Sequence, residues 1–250
     1  MMKTTIEYRE KSFKIDLSKP IDISMPLRAN SKNVTAWYVN PPEFNPVMEN
    51  GFVGDVNLGG DVNFRNIFFN PHGHGTHTEC VGHISKETFT INQCLKQFTF
   101  YAKLVTITPY NVDGDSVIML EQVEKLWENN EADAIIIRTL PNNDVKLEKQ
   151  YSDTNPTYIH YKAMQYLVDN GVKHFLIDTP SVDKEQDDGK LIAHHIFWNY
   201  PNNPQTEKTI TELIYVPNEV EDDYYILQFQ IASFENDASP SKPILYKIRE

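Results

Sequence analysis

The run Ala134-Ile135-Ile136-Ile137 narrows the fold more than any other stretch of this chain. Its branched residues favour extended backbone, and a strand with no polar face must be covered on both sides. The neighbouring segments supply the cover. Residues 98–107 are β-branched and aromatic and predict a strand. Residues 117–128 space Val117, Leu120, Val123, Leu126 and Trp127 as a helix would. Residues 132–138 form the buried strand. Residues 158–170 read as a helix through Ala163, Tyr166 and Leu167, with Gly171 where a C-terminal cap belongs. Residues 173–178 are a further strand. Such alternation sets helices against a largely parallel sheet. Residues 21–24, 64–69, 209–216 and 224–231 add strands toward both ends, so antiparallel pairing is expected as well. The expectation is an α/β fold with a mixed sheet. A chain of 250 residues with no internal repeat suits a single domain over residues 1–250.

Between Pro71 and His83 lie His72, His74, His77 and His83, four of the eight histidines, with Glu79 among them. Gly73, Gly75 and Gly82 let the backbone turn tightly, so that the imidazoles can converge. Neutral imidazole plus carboxylate is the donor set of zinc and similar ions. In an extended segment His77 and Glu79 project to one face. His83 comes within reach if the chain turns at Gly82, and His72 or His74 would add a donor from the upstream turn. One segment seldom completes a catalytic metal site, so partners should lie elsewhere. His194-His195 reads as a helix start with one polar and one buried histidine. Glu212 sits in the apolar segment 209–214, where a carboxylate is costly unless paired or metal-bound. If that strand faces solvent, Glu212 is an ordinary outer residue. His160 and His174 read as surface or helix-packing histidines, and residues 183–189 as a solvated loop.

The net charge of −12 argues against nucleic acid and against anionic membranes as partners. Two cysteines, Cys80 and Cys94, make no disulfide framework, and Cys80 reads as a small packing residue. Residues 1–14 are charged and do not form a secretory signal, and no apolar run approaches the roughly 18 residues of a membrane span. A cytoplasmic protein is expected.

The segment Gly75-Thr76-His77-Thr78-Glu79, with His83 beyond it, resembles the signature His-x-Gly-Thr-His-x-Asp-x-Pro-x-His of the cyclase family of metal-dependent hydrolases, which includes the bacterial kynurenine formamidases. Five further segments resemble that family in order: Ile21-Asp22-Ile23-Ser24-Met25-Pro26-Leu27, Asp133-Ala134-Ile135-Ile136-Ile137-Arg138-Thr139, Asp178-Thr179-Pro180-Ser181-Val182-Asp183, Ala193-His194 and Asn236-Asp237-Ala238-Ser239-Pro240. The resemblance implies a compact swivelling-type β/α/β domain in a homo-oligomer, dimer or tetramer. It implies that His77, Glu79, His194 and Glu212 bind metal and that His83 transfers protons. Glu79 stands where the family has Asp, and Val81 where it has Pro. Strict spacing puts the first signature histidine on Gly73; His72, which opens the turn, is the preferred replacement and His74 the fallback. Trp37 and Tyr38 follow the N-terminal motif, where similar proteins line the substrate pocket with an aromatic residue; core packing is an equal reading. The implied cofactor is zinc, with manganese admissible, as one or two ions. The implied reaction is hydrolysis of a small molecule at an amide, N-formyl or cyclic amide or ester bond, by water made nucleophilic at the ion. A natural-product cyclase or dehydratase, or a silent metal- or ligand-binding protein, are the competing readings.

Overall fold

Seven strands close into a ring in the computed structural model, which describes residues 1–249. Their order is Tyr224–Ile231, Thr99–Ile107, Ala134–Thr139, His174–Ile177, Thr209–Glu212, His77–Glu79 and Ala238–Lys247, the last pairing back onto the first. The pairings from Thr99–Ile107 through Thr209–Glu212 are parallel. The remaining pairings in the ring are antiparallel. Ile21–Asp22 lies outside the ring beside Ala238–Lys247. The fold is thus α/β with a mixed sheet, closed as a barrel.

Strand alternation explains the apolar run. Ile135 and Ile137 pack outward against Ala163, Met164 and Leu167 of helix Tyr161–Asp169 and Phe197 and Trp198 of helix Ile192–Trp198. Ala134 and Ile136 pack inward with Leu104, Leu176, Leu227 and Leu245. Each fully buried isoleucine contributes about 2 kcal/mol, and no side of this strand is left to water. The charged N-terminus hides a hairpin of Lys3–Tyr8 and Lys11–Asp16. Its Ile6, Tyr8 and Phe13 join the outer core, with Phe13 stacked on Tyr101 at 5.0 Å between ring centroids.

Some elements differ from the sequence expectation. Within 117–128 only Leu120–Val123 is helical. Asp115–Ile118 is a strand folded back on Tyr110–Val112 through Asp113-Gly114, whose φ values of +52° and +92° suit a two-residue hairpin turn. That turn commits Val117 and Ile118 to extended backbone. Helix Tyr161–Asp169 starts later than expected because Tyr158–Ile159 pairs with Val117–Ile118. His160 then caps it, its Nδ1 accepting the Lys162 N–H. Thr209–Glu212 stops where Leu213 turns to φ +53°. Arg65–Phe68 pairs with Glu43–Pro46 in an exposed excursion before the histidine loop. His174 is not on the surface: it is buried at one end of the barrel interior, its ring centroid 3.8 Å from that of Phe100. Residues 183–189 have no regular structure, but Asp183 is buried rather than solvated. Among the described residues no helix is long and apolar enough to cross a membrane.

Candidate metal centre

Strand register aims the candidate ligands. Glu212 lies opposite His77, and Ile210 opposite Glu79. Directly paired residues share a sheet face, and Ile210 belongs to the outer core. His77, Glu79 and Glu212 therefore point outward, toward helix Ile192–Trp198. The intervening Thr78 points inward and is bonded to Thr211 at 2.8 Å and Ser241 at 2.9 Å. Glu212 ends its strand, so the site sits at the C-terminal edge of the parallel strands, where α/β sheets place their ligands.

Around Glu79 the nitrogens close in. Its Oε2 is 3.1 Å from His72 Nδ1 and 3.8 Å from both His77 Nε2 and His83 Nδ1. Its Oε1 is 3.4 Å from His194 Nε2. Glu212 Oε2 is 3.4 Å from His77 Nε2, and its Oε1 accepts the Val182 N–H at 3.0 Å. His77 Nδ1 donates to the Gly75 carbonyl at 3.0 Å, and His194 Nδ1 to Asp183 at 2.6 Å. Each of these two rings thus keeps a bare Nε2. Asp183 also accepts the Ala193 and His194 N–H groups, so one carboxylate caps the helix and orients its histidine.

His77 Nε2, His194 Nε2 and both Glu79 oxygens are buried with no hydrogen-bond partner. Buried polar atoms are normally satisfied, and an unpartnered carboxylate is expensive. Bare imidazole nitrogens converging on a carboxylate fit a divalent cation in donor type. Burial pushes the Glu79 carboxyl up, but the charge of His83 and the nearby rings of His194 and His72 hold it well below the usual range. Burial likewise disfavours charge on His72 and His194, yet their carboxylate partners raise both to about 10. An ion would compete with those protons for the same nitrogens.

Of the two histidines flanking Gly73, His72 faces the cluster. His74 is occupied elsewhere: its Nδ1 accepts the Asn70 N–H at 2.8 Å and its Nε2 donates to the Asn40 carbonyl at 2.7 Å. Gly73 itself has no room for a side chain, since a Cβ there would stand 2.7 Å from Val39 Cγ2. His83 lies beside His72, with 4.4 Å between ring centroids. Asp237, which carried no expected role, meets both rings: its Oδ2 is 2.8 Å from His72 Nε2 and 3.3 Å from His83 Nδ1. Burial raises the Asp237 carboxyl and the two imidazoles overcome it, holding it far below the usual range.

A cleft of about 410 Å³ opens onto His72, His83, His194 and Glu212, with Trp37 and Leu191 in its walls. Tyr38 lies outside it: the side chain is exposed and its hydroxyl meets Asp153 at 3.0 Å and Glu185 at 3.2 Å. Cys80 is buried in the inner core and serves as packing. Leu191 carried no sequence signal, whereas Asp183 and Asp237 fell inside segments resembling the family without being given a role.

A family model described as Putative cyclase matches residues 15–184. Among curated proteins none matches. Similar solved structures include a potential metal-dependent hydrolase with cyclase activity, at 17% identity and a TM-score of 0.66, covering 93% of this chain and 98% of that one. A predicted metal-dependent hydrolase from Bacillus stearothermophilus is 17% identical with a TM-score of 0.61, covering 91% and 98%. An isatin hydrolase bound to the product analogue thioisatinate is 12% identical with a TM-score of 0.67, covering 92% and 93%. At these identities the likeness is one of fold.

Proposed function

Because this chain belongs to that cyclase family, we propose that it is a metal-dependent hydrolase of small molecules carrying an amide, N-formyl or cyclic amide or ester bond. One observation carries the reading: bare Nε2 atoms of His77 and His194 and both oxygens of Glu79 meet in a buried cluster with no partner of their own. The isatin hydrolase among the similar structures acts on a cyclic amide and supports the bond class.

His72, His77, Glu79, His194 and Glu212 would hold one or two ions, zinc first and manganese next. When bound, such an ion lowers the pKa of water and offsets charge developing on a carbonyl oxygen. His83 has Nδ1 engaged by Asp237 and lines the cleft, so its Nε2 is the nitrogen free to pass a proton to the leaving nitrogen or oxygen. Trp37 and Leu191 offer an apolar wall for a flat substrate. Tyr38 is left out of the pocket. We take residues 1–250 as one domain, since the N-terminal hairpin shares the outer core, and expect a cytoplasmic homo-oligomer, dimer or tetramer.

The test is elemental analysis by plasma mass spectrometry of wild type beside His77→Ala, followed by assays on formyl-anilides, lactams and lactones. One or two equivalents of zinc or manganese, absent from the variant, together with turnover of one substrate class, is the expected result. A wild type that takes up no ion even after reconstitution would sink the proposal.

A further inference from the structure

We infer that Asp237 is a positioning residue that makes His72 a ligand through Nδ1, while His77 and His194 ligate through Nε2, and that the same carboxylate presents His83 to the cleft. The inference rests on the metal-site reading above and goes beyond it in assigning tautomers and a shared orienting group.

The geometry is asymmetric. His77 and His194 each have Nδ1 hydrogen-bonded, to the Gly75 carbonyl and to Asp183, with Nε2 bare. His72 is turned the other way. Its Nε2 lies 2.8 Å from Asp237, and its Nδ1 faces Glu79 at 3.1 Å. Asp237 accepts the Nε2 proton, so only Nδ1 is left to give up its proton to an ion beside Glu79. A ligating histidine commonly donates its other N–H to a carboxylate, which fixes the tautomer and strengthens the ligand. Asp183 serves His194 in this way, and Asp237 serves His72 with the two nitrogens exchanged.

The local chain accounts for the exchange. Gly73 is sealed by Val39 and by the Ala36 carbonyl, which accepts no side chain at that position. His72 therefore approaches from one residue earlier, and Nδ1 is the nitrogen nearer its own backbone. Asp237 stands immediately before strand Ala238–Lys247, whose start pairs with His77–Glu79, so its position relative to the ligands is set by the barrel itself. The same Oδ2 atom meets His83 Nδ1 at 3.3 Å. His83 Nδ1 is thereby held as a donor, and Nε2 is left toward the cleft. One carboxylate thus orients both a ligand and the proton-transfer group.

The experiment uses ¹⁵N-labelled full-length protein reconstituted with zinc, with histidine tautomers read from two-bond ¹H–¹⁵N correlations. His72 should show a zinc-shifted Nδ1 and a protonated Nε2, and His77 and His194 the reverse. In Asp237→Ala, zinc affinity by chelator competition should fall about 10- to 100-fold, with the same number of ions bound at saturation. Asp237→Glu should recover part of the loss. His72 ligating through Nε2 would overturn the inference, and so would an unchanged affinity in Asp237→Ala. Loss of one whole ion from a wild type that binds two would make Asp237 a ligand and also overturn it. A wild type that binds no zinc at all would instead refute the reading of the site beneath it.

Discussion

His174 shows how far a single side chain can be set apart from the site's chemistry and still have measurable consequences. It begins its strand opposite Thr209, at the end of the barrel away from Glu212, and its Nδ1 is 2.8 Å from Thr209 Oγ1. Burial, helped by the nearby charge of Lys173, pushes its pKa down from 6.5 to about 3. The unfolded chain therefore takes up this proton before the folded one does. The neutral ring's contribution to stability is whole above pH 6.5 and is lost as the pH falls toward 3. Each unit between the two pKa values is worth about 1.4 kcal/mol, so wild type should lose roughly 2 kcal/mol more than His174→Leu between pH 6.5 and 4.5. Urea unfolding midpoints across that range measure the difference; parallel curves for the two proteins would contradict it. The same residue also shows a limit of reading sequence. Nothing around His174 distinguishes a barrel-end histidine from a surface one, because its partners Phe100 and Thr209 arrive only through strand pairing.

Among the elements, helix Ile192–Trp198 depends most on a distant residue. It starts after Leu191 at φ +43° with no side-chain cap at that position. Asp183 caps it instead, bonding the Ala193 and His194 N–H groups and the His194 ring. Asp183→Ala should cost about 1 kcal/mol of helix capping and, by freeing the His194 tautomer, weaken zinc binding about 10- to 100-fold. Thermal melts and chelator competition read the two effects separately, and a variant with a lowered melting temperature but unaltered affinity would show that Asp183 only caps. This role was illegible in the sequence because Asp183 lies in a polar run, 11 residues before the histidine it holds. By contrast, Thr99–Ile107 and Tyr224–Ile231 were legible from branched and aromatic residues on both faces. The helix expected over residues 117–128 failed for a local reason: Asp113-Gly114 had already turned the chain into a hairpin, and only the single turn Leu120–Val123, which buries Val123, stays helical. The convergence of His77, Glu79 and His194 was expected from residue type and family resemblance, and His72 was preferred to His74 because it opens the turn; the path of the loop then brings His72 to Glu79 and leaves His74 bonded to Asn70 and Asn40.

For the molecule as a whole, closure of the barrel was the least legible feature. The closing strand Ala238–Lys247 carries Pro240 and Pro243, which argue against a paired strand. It pairs nonetheless, since a proline still offers its carbonyl, and that of Pro243 accepts the Ile23 N–H at 3.2 Å. The candidate site ties together the loop at His72, the strand ending at Glu212 and the helix carrying His194. An ion bound there should stabilise the whole fold by mass action, by about 2.7 kcal/mol at a hundredfold excess over its Kd. Chelation should lower the melting temperature, and the ion's return should restore it; a melting temperature indifferent to the ion would place it off the folded core. The order of the ring has a further consequence for biosynthesis. Strand His77–Glu79 is flanked by two strands that are both made later, and Asp237 follows His72 by 165 residues. At roughly 5–20 residues per second, the early histidines leave the ribosome on the order of ten seconds before the carboxylate that orients them. Under the proposed function, the candidate ligands would be complete only once Glu212 has been made, and the group proposed to orient His72 only once Asp237 has followed.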